Sequence, residues 1–414
     1  MTSKNYGILS IPVLVGALGY FVDIYDLLLF GIVRKPSLAQ LGLTADQVTT
    51  IGEKIISAQM YGLLLGGIVW GIMGDKRGRL SVLFGSIILY SLANIANGMV
   101  TTTTQYMIVR FLAGIGLAGE LGAGITLVSE LLPKQKRGIG TSLVAGIGLT
   151  GAVVAYFISK EFDWRVCYYV GGGLGFILLL LRISVYESGM FHDVKKRNVQ
   201  RGNFWMFFNN RTRFKKYICS ILIGLPTWFV IGVLVTFSDQ FGKAFGIKTP
   251  IQPGKAIMFA YAAISVGDVV VGMVSQWLKS RKKALYIFYA ITAVFMALFF
   301  QQRGGSADYM YLLCAGLGFG TGFWAIFVTM GAEQFGTNLR ATAATTVPNM
   351  VRGALPLIIY IFNWLRNLSG SYVTGGVITA LIVMIISVLA TNASEETFGK
   401  DLNYVENDMM APAV

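Results

Sequence analysis

Charge is what this chain has least of. Of its 414 residues only 13% are Asp, Glu, Lys or Arg, while 55% are hydrophobic. A soluble protein of this length could not hide so much apolar surface, which excludes an ordinary soluble enzyme. Cysteine is limited to Cys167, Cys219 and Cys314, on separate apolar runs and without metal-ligand spacing. That excludes a disulfide framework and a zinc site. Histidine is nearly absent: the single His192 stands in a charged loop, where it reads as a solvated side chain. With no nucleophile–base set and no metal cluster, an enzyme is the least favoured class, and no cofactor is expected.

What the chain has in abundance is the long apolar run, and its mean hydropathy is +0.64. Crossing a hydrocarbon core of about 30 Å takes roughly 20 helical residues. Twelve such runs can be marked by hydropathy: 9–33, 55–73, 80–99, 106–132, 138–159, 166–185, 217–237, 256–278, 284–300, 309–333, 341–365 and 373–389. Open strands cannot cross lipid with their backbone groups unpaired. The expected fold is therefore an all-α membrane protein of 12 transmembrane helices. The first run lacks a charged start and a small-residue cleavage site, and is expected to be retained as a helix.

The net charge of +14 suggests nucleic acid, but the positions of the charges argue otherwise. Lys and Arg crowd alternate loops: Lys76, Arg77 and Arg79; Lys134, Lys136 and Arg137; the stretch from Lys195 to Lys216; and Lys279 to Lys283. Intervening loops carry fewer, such as Lys160 with Arg165, or Lys243 with Lys248. This is the positive-inside pattern, and it places both termini in the cytoplasm. The expected partners are the lipid bilayer and a small solute, with no nucleic acid.

The polar stretch 186–216 divides the helices six and six. The expected organisation is a first six-helix bundle at 1–185, a cytoplasmic linker at 186–216, a second bundle at 217–391 and a cytoplasmic tail at 392–414. Within the linker, Phe204, Trp205, Met206, Phe207 and Phe208 precede a basic cluster, as in a segment lying on the inner leaflet. The halves also repeat. Glu130 to Arg137 links the fourth and fifth runs, and Glu333 to Arg340 links the tenth and eleventh with the same spacing. Gly71-Ile72-Met73-Gly74-Asp75-Lys76-Arg77-Gly78-Arg79 forms a tight basic hairpin between the second and third runs, echoed by Gly272 and the basic residues from Lys279 to Lys283.

That hairpin, G-x-x-x-D-[RK]-x-G-R, resembles the signature loop of major facilitator superfamily transporters. The resemblance implies two pseudo-symmetric bundles about an axis along the membrane normal, with the solute site near midplane between them. It also implies a gating role for Asp75, Arg79, Glu130, Arg137, Glu333 and Arg340, with Asp75 and Arg79 within reach of the Glu130–Arg137 loop. The alternative is that these charges only set topology and cap helices.

Ionisable residues at membrane depth are functional candidates by default. Asp23 and Asp26 share one face of the first helix. Arg110 lies near the outer end of the fourth at similar depth and is expected to pair with one of them; Glu120 is expected near midplane. In a low-dielectric site such carboxylates can take up and release protons, so Asp23, Asp26, Glu120 and Arg110 are the proton-coupling candidates. Arg352 sits in the stretch from Pro348 to Pro356, where two prolines and a glycine allow a broken, cavity-lining backbone. Its guanidinium fits a substrate carboxylate. Asp268, Tyr25, Gln59, Trp228, Trp324 and Asn349 join it as substrate-binding candidates. The structural alternative is that Asp–Arg pairs, including Asp268–Arg352, merely lock helices.

Phe21-Val22-Asp23-Ile24-Tyr25-Asp26, Gly119-Glu120-Leu121-Gly122-Ala123, and Leu181-Arg182 leading to Glu187 resemble the metabolite:proton symporter branch, which carries proline/betaine, α-ketoglutarate, citrate and shikimate. Asp23 stands where that branch has Glu, and Ile24 where it has Trp. The fifth run has no Gly-Pro pair, against multidrug export. The resemblance implies a proton-coupled symporter of a small organic acid or zwitterionic metabolite, in a bacterial cytoplasmic membrane, working as a monomer on the proton gradient. An exporter of a metabolite, siderophore or drug is the alternative, and a non-transporting sensor a more distant one.

Overall fold

The computed structural model describes residues 10–132, 134–182, 202–401 and 404–406. Among them twelve helices are long and apolar enough to cross a membrane: Val13–Gln40, Ala45–Arg77, Leu80–Gly98, Thr103–Val128, Leu143–Glu161, Trp164–Leu181, Arg211–Val235, Pro253–Trp277, Arg281–Phe300, Ala307–Glu333, Arg340–Ser369 and Tyr372–Ala393. They coincide with the twelve apolar runs, and the described residues contain no strand. Several helices outrun their apolar cores by one to three turns. Capping explains part of this: Thr44 and Thr102 form capping boxes with Gln47 and Gln105, and Ser280 and Ser306 each accept a backbone N–H.

Equivalent helices of the two halves break at equivalent places. The fourth is interrupted between Leu117 and Glu120, and the tenth between Gly320 and Trp324. The fifth breaks at Thr150, and the eleventh at Ala354 just before Pro356. Glycine or proline sits at each interruption, where neighbouring helices can re-satisfy the freed backbone groups.

Glycine also sets the spacing between helices, because apolar side chains gain little over lipid and close van der Waals packing must do the holding. A Cβ on Gly62 or Gly114 would run into the Phe111 or Gln59 carbonyl, so the second helix rides on the fourth backbone to backbone. Gly318 does the same against the Ala260 carbonyl, joining the eighth helix to the tenth. Outward faces stay apolar, as at Leu180, Trp277, Leu312 and Leu368. Tyr61 and Tyr360 also face outward.

The segment before the seventh helix is half anchored. Phe207 stacks on Tyr217 with ring centres 4.4 Å apart and meets Phe335 edge-on. Trp205 and Phe208 remain exposed at the helix ends. His192 and most of the linker lie outside the described residues. The C-terminal tail folds back on the second half. Glu396 accepts from the Ser280 hydroxyl and the backbone N–H groups of Arg281, Lys282 and Phe398. Burial pushes its carboxyl up, but those donors together outweigh burial and hold it below the usual range.

Gly114→Val should cost about 1–3 kcal/mol through overpacking. In a thermal-shift assay in detergent it should lower the apparent Tm by several degrees. Gly173→Val, which meets nothing within 4 Å, should leave it unchanged. Equal losses from the two variants would mean that backbone contact does not set the helix spacing.

Candidate functional site

The halves meet along two seams, the second helix against the eleventh and the fifth against the eighth; on the positive-inside reading, the end that carries the basic hairpin is the inner one. At the inner end, the buried Asp75 carboxylate finishes the second helix and accepts from Ala341 N at 3.2 Å, Thr342 N at 2.8 Å and Thr342 Oγ1 at 2.6 Å. Those donors are the first turn of the eleventh helix, so an anion of one half caps the positive end of a helix in the other. Gly67, Gly71 and Gly74 face Asn349, Thr342 and Ala341, with no room for a Cβ at the first of these positions. Asn349 Nδ2 donates to the Ala118 carbonyl at 2.8 Å, exposed by the break in the fourth helix. On the opposite seam the Ser265 hydroxyl, in the eighth helix, donates to the Gly146 carbonyl in the fifth.

The outer end is closed by ions. Asp239, just past the seventh helix, takes Lys35 Nζ at 2.7 Å and Arg34 Nη2 at 3.5 Å from the first. Arg34 also lies over the Phe237 ring, and Asn363 reaches Glu53 at 3.2 Å. None of these outer residues was singled out from the sequence. The available signal was the opposite sign of Arg34-Lys35 and Asp239 at the outer ends of equivalent helices.

Between the closures lies Arg352, 1% exposed, on the eleventh helix two residues before its break. Its guanidinium is 5.8 Å from the Trp228 ring and 5.6 Å from the Trp324 ring, and Nη1 donates to Asn349 Oδ1 at 3.2 Å. The two indoles stand 6.4 Å apart at 67°. Tyr20, Ile24, Leu149 and Tyr261 complete the wall of a small cavity. Among the described residues no carboxylate is ion-paired to Arg352, and its Nε–H and the Trp324 Nε1–H have no acceptor. Asp23, on the helix that supplies Tyr20 and Ile24, is fully buried with both oxygens unpartnered.

One expected pairing, one structural alternative and one expected depth are corrected. Arg110 Nη2 donates to the backbone carbonyl of Asp26 at 3.0 Å and lies over the Tyr168 ring; neither aspartate carboxylate holds it. Asp268 does not lock Arg352. It accepts from Ala325 N at 2.9 Å and caps the second segment of the broken tenth helix, whose first N–H groups would otherwise be orphaned. Glu120 sits in the inner half and not at midplane, since it forms a two-point pair with Arg182 at the inner end of the sixth helix, Nη1 to Oε2 being 3.0 Å. Arg182 also donates to the Leu83 carbonyl, in the first turns of the third helix. Sequence reading had given Arg182 only as part of a family motif. Depth counted along one helix could not identify a partner from another.

Other candidates have local duties. Tyr25 Oη donates to the Cys167 carbonyl, and Gln59 Nε2 to the Leu27 carbonyl beside a second small cavity that Trp228 shares. Glu333 pairs with Arg281 at 3.1 Å and accepts from Thr397, so it binds the ninth helix and the tail within its own half. Arg340 is buried at the start of the eleventh helix. The side chains of Arg79, Glu130 and Arg137 lie outside the described residues.

The family model described as Major Facilitator Superfamily matches residues 16–359. The chain belongs to the major facilitator superfamily. Among its relatives are the niacin transporter NiaP of Acinetobacter baylyi, 25% identical over 88% of this chain and 90% of that one, and a gentisate transporter of Corynebacterium glutamicum, 22% identical over 91% and 86%. A benzoate transport protein of Acinetobacter baylyi is 22% identical over 84% and 81%. The solved proton:xylose symporter XylE superposes with a TM-score of 0.75 at 17% identity, covering 95% of this chain and 97% of that one. This facilitator is thus a multi-pass membrane transporter and not an enzyme.

The two closures should oppose one another. With the three native cysteines replaced by Ala, Asp239→Ala should raise the rate at which an impermeant outside thiol reagent reaches a cysteine placed at Ile24. Asp75→Ala, which removes a helix cap worth about 1 kcal/mol, should lower that rate by roughly fivefold. Shifts in the same direction would show that the two ends are not alternatives.

Proposed function

We propose that this facilitator imports a small aromatic carboxylate together with protons, by alternating access. The observation that carries the reading is Arg352, buried between Trp228 and Trp324 and ion-paired to no carboxylate among the described residues, with Asp23 the acid within electrostatic reach. An unpaired buried guanidinium is costly, and a substrate carboxylate can meet it with two parallel charge-assisted hydrogen bonds. Indole and phenol walls suit a flat ring, which stacks offset or edge-on at low entropic cost. The named solutes of the three relatives above are all aromatic rings bearing a carboxylate, which supports the same class here.

Proton coupling is supported by Asp23 and Asp26, buried in the first helix without donors, and by the likeness to a proton symporter. A proton taken up from outside neutralises an acid next to the site, so that the incoming anion meets Arg352 without a competing charge. The loaded site then opens inward as the Asp75 cap on the eleventh helix is released. The proton gradient is the only energy source the reading needs, with no cofactor; it also has a monomer as the working unit and both termini in the cytoplasm.

Proteoliposomes with an alkaline interior should accumulate radiolabelled benzoate or nicotinate, and a protonophore should abolish the accumulation. Arg352→Lys should raise the apparent KM at least tenfold, because the fork that matches a carboxylate is lost. Arg352→Gln with wild-type affinity would remove that residue from the site. Asp23→Asn should keep exchange of labelled for unlabelled solute while losing uphill uptake. Uptake by the wild type that ignores the imposed gradient would refute coupling.

A further inference from the structure

The third helix carries a polar stripe that transport through the central cavity does not use. Tyr90 and Ser91 are adjacent, and Asn94 and Asn97 follow Ser91 at intervals of three, so the four form a stripe that spans about 10 Å of helix axis. All four are fully buried, facing the interior of the first bundle. Tyr90 Oη, Ser91 Oγ and both polar atoms of each asparagine amide have no partner in hydrogen-bond geometry, and neither do the two Asp26 carboxylate oxygens, although the Asn94 amide lies beside that carboxylate. Eight such atoms in one place demand an explanation, since buried polar groups are nearly always satisfied.

The sixth helix packs bare backbone onto them. A Cβ on Gly171 would collide with Asp26 Oδ1, and one on Gly175 with Ser91 Oγ; at Gly172 it would stand 3.0 Å from the Ser91 carbonyl. The glycine stripe thus faces the polar residues with no side chain that could donate to or accept from them. At its outer end the stripe stops at Asn97, two residues before the exposed Met99 that starts the outer loop. At its other end the Tyr90 hydroxyl lies within electrostatic reach of both aspartates and of the Glu120–Arg182 pair.

We infer that ordered waters fill this seam, from Asn97 through Asn94 and Ser91 to Tyr90, and form a proton path from the outer surface to Asp26 that is separate from the solute's route. About three waters, each making roughly three hydrogen bonds, would satisfy the eight atoms. The groups facing Asp26 are Asn94 from the third helix, Arg110 from the fourth, Tyr168 from the sixth and Asp23 on its own helix. Arg110 holds the Asp26 backbone and so leaves the carboxylate oxygens to the water. A separate path lets the proton arrive while the solute gates are shut. The inference rests on the proton-coupled reading and names how the proton enters.

The test uses water and protons only, with no transported solute. Radiolytic footprinting in oxygen-18 water should label Tyr90 at least fivefold faster than Tyr289, which is as deeply buried but donates to the Ile223 carbonyl at 2.9 Å. The Asn94→Leu, Asn97→Leu pair should bring Tyr90 down to the rate of Tyr289, and the Asn94→Ser, Asn97→Ser pair should not. In right-side-out vesicles at fixed inner pH, a carbodiimide that attacks protonated carboxyls should modify Asp26 faster as outer pH falls. In the leucine pair that modification should stop following outer pH. Tyr90 labelled no faster than Tyr289, or Asp26 modification indifferent to outer pH in the wild type, overturns the inference; should the leucine pair not fold, these two wild-type measurements decide. A hydrated seam in a protein that accumulates no benzoate would leave the path standing and defeat the proposed function instead.

Discussion

A charge sunk below the headgroups must be met by a partner, and this chain meets some of its charges and leaves others open. Glu120 with Arg182, and Glu333 with Arg281, are closed accounts within each half. Breaking such a pair strands a desolvated ion, so each fixes the relation of the helices that carry it. Asp23, Asp26 and Arg352 are different. They are as deeply buried, yet their charged atoms are largely without partners. The paired set builds the scaffold, and the unpaired set is where a proton or a solute anion has something to complete.

The two closures use different chemistry for the same task. Inside, a carboxylate caps a helix and glycines let backbones touch; outside, long cationic side chains converge on one aspartate. Neither closure is large in energy. A helix cap contributes about 1 kcal/mol; at the other end Lys35 is half exposed and the buried Arg34–Asp239 contact is long, at 3.5 Å. Closures of such modest and similar strength can exchange, which is what alternating access requires. A rigid glycine-packed bundle on each side keeps the motion at the seam between halves, since a close-packed interior does not deform continuously.

The membrane-spanning framework was legible because hydropathy and loop charge act one residue at a time. All twelve runs became helices, and the basic hairpin at Asp75 and the broken stretch around Arg352 stood out by composition alone. The partners did not stand out. Arg182 lies 62 residues from Glu120, and Asp239 more than 200 from Arg34. Asp75 could be singled out as a gating candidate, but its seat on the eleventh helix depends on 266 residues of intervening chain. Arg110 was placed at the right depth and given the wrong atom, because rise per residue fixes height and not the direction in which a side chain points.

The sequence by itself determined the solvent, the number of crossings, the repeat of two halves and which charges would be costly to bury. Each follows from composition or spacing, and lipid enforces it locally. Only the tertiary structure decided which of those charges are neutralised. That outcome depends on rotation of helices about their axes and on contacts between distant segments. A lone arginine between two indoles and a polar stripe laid against glycines are properties of the assembled bundle, and no single helix contains either.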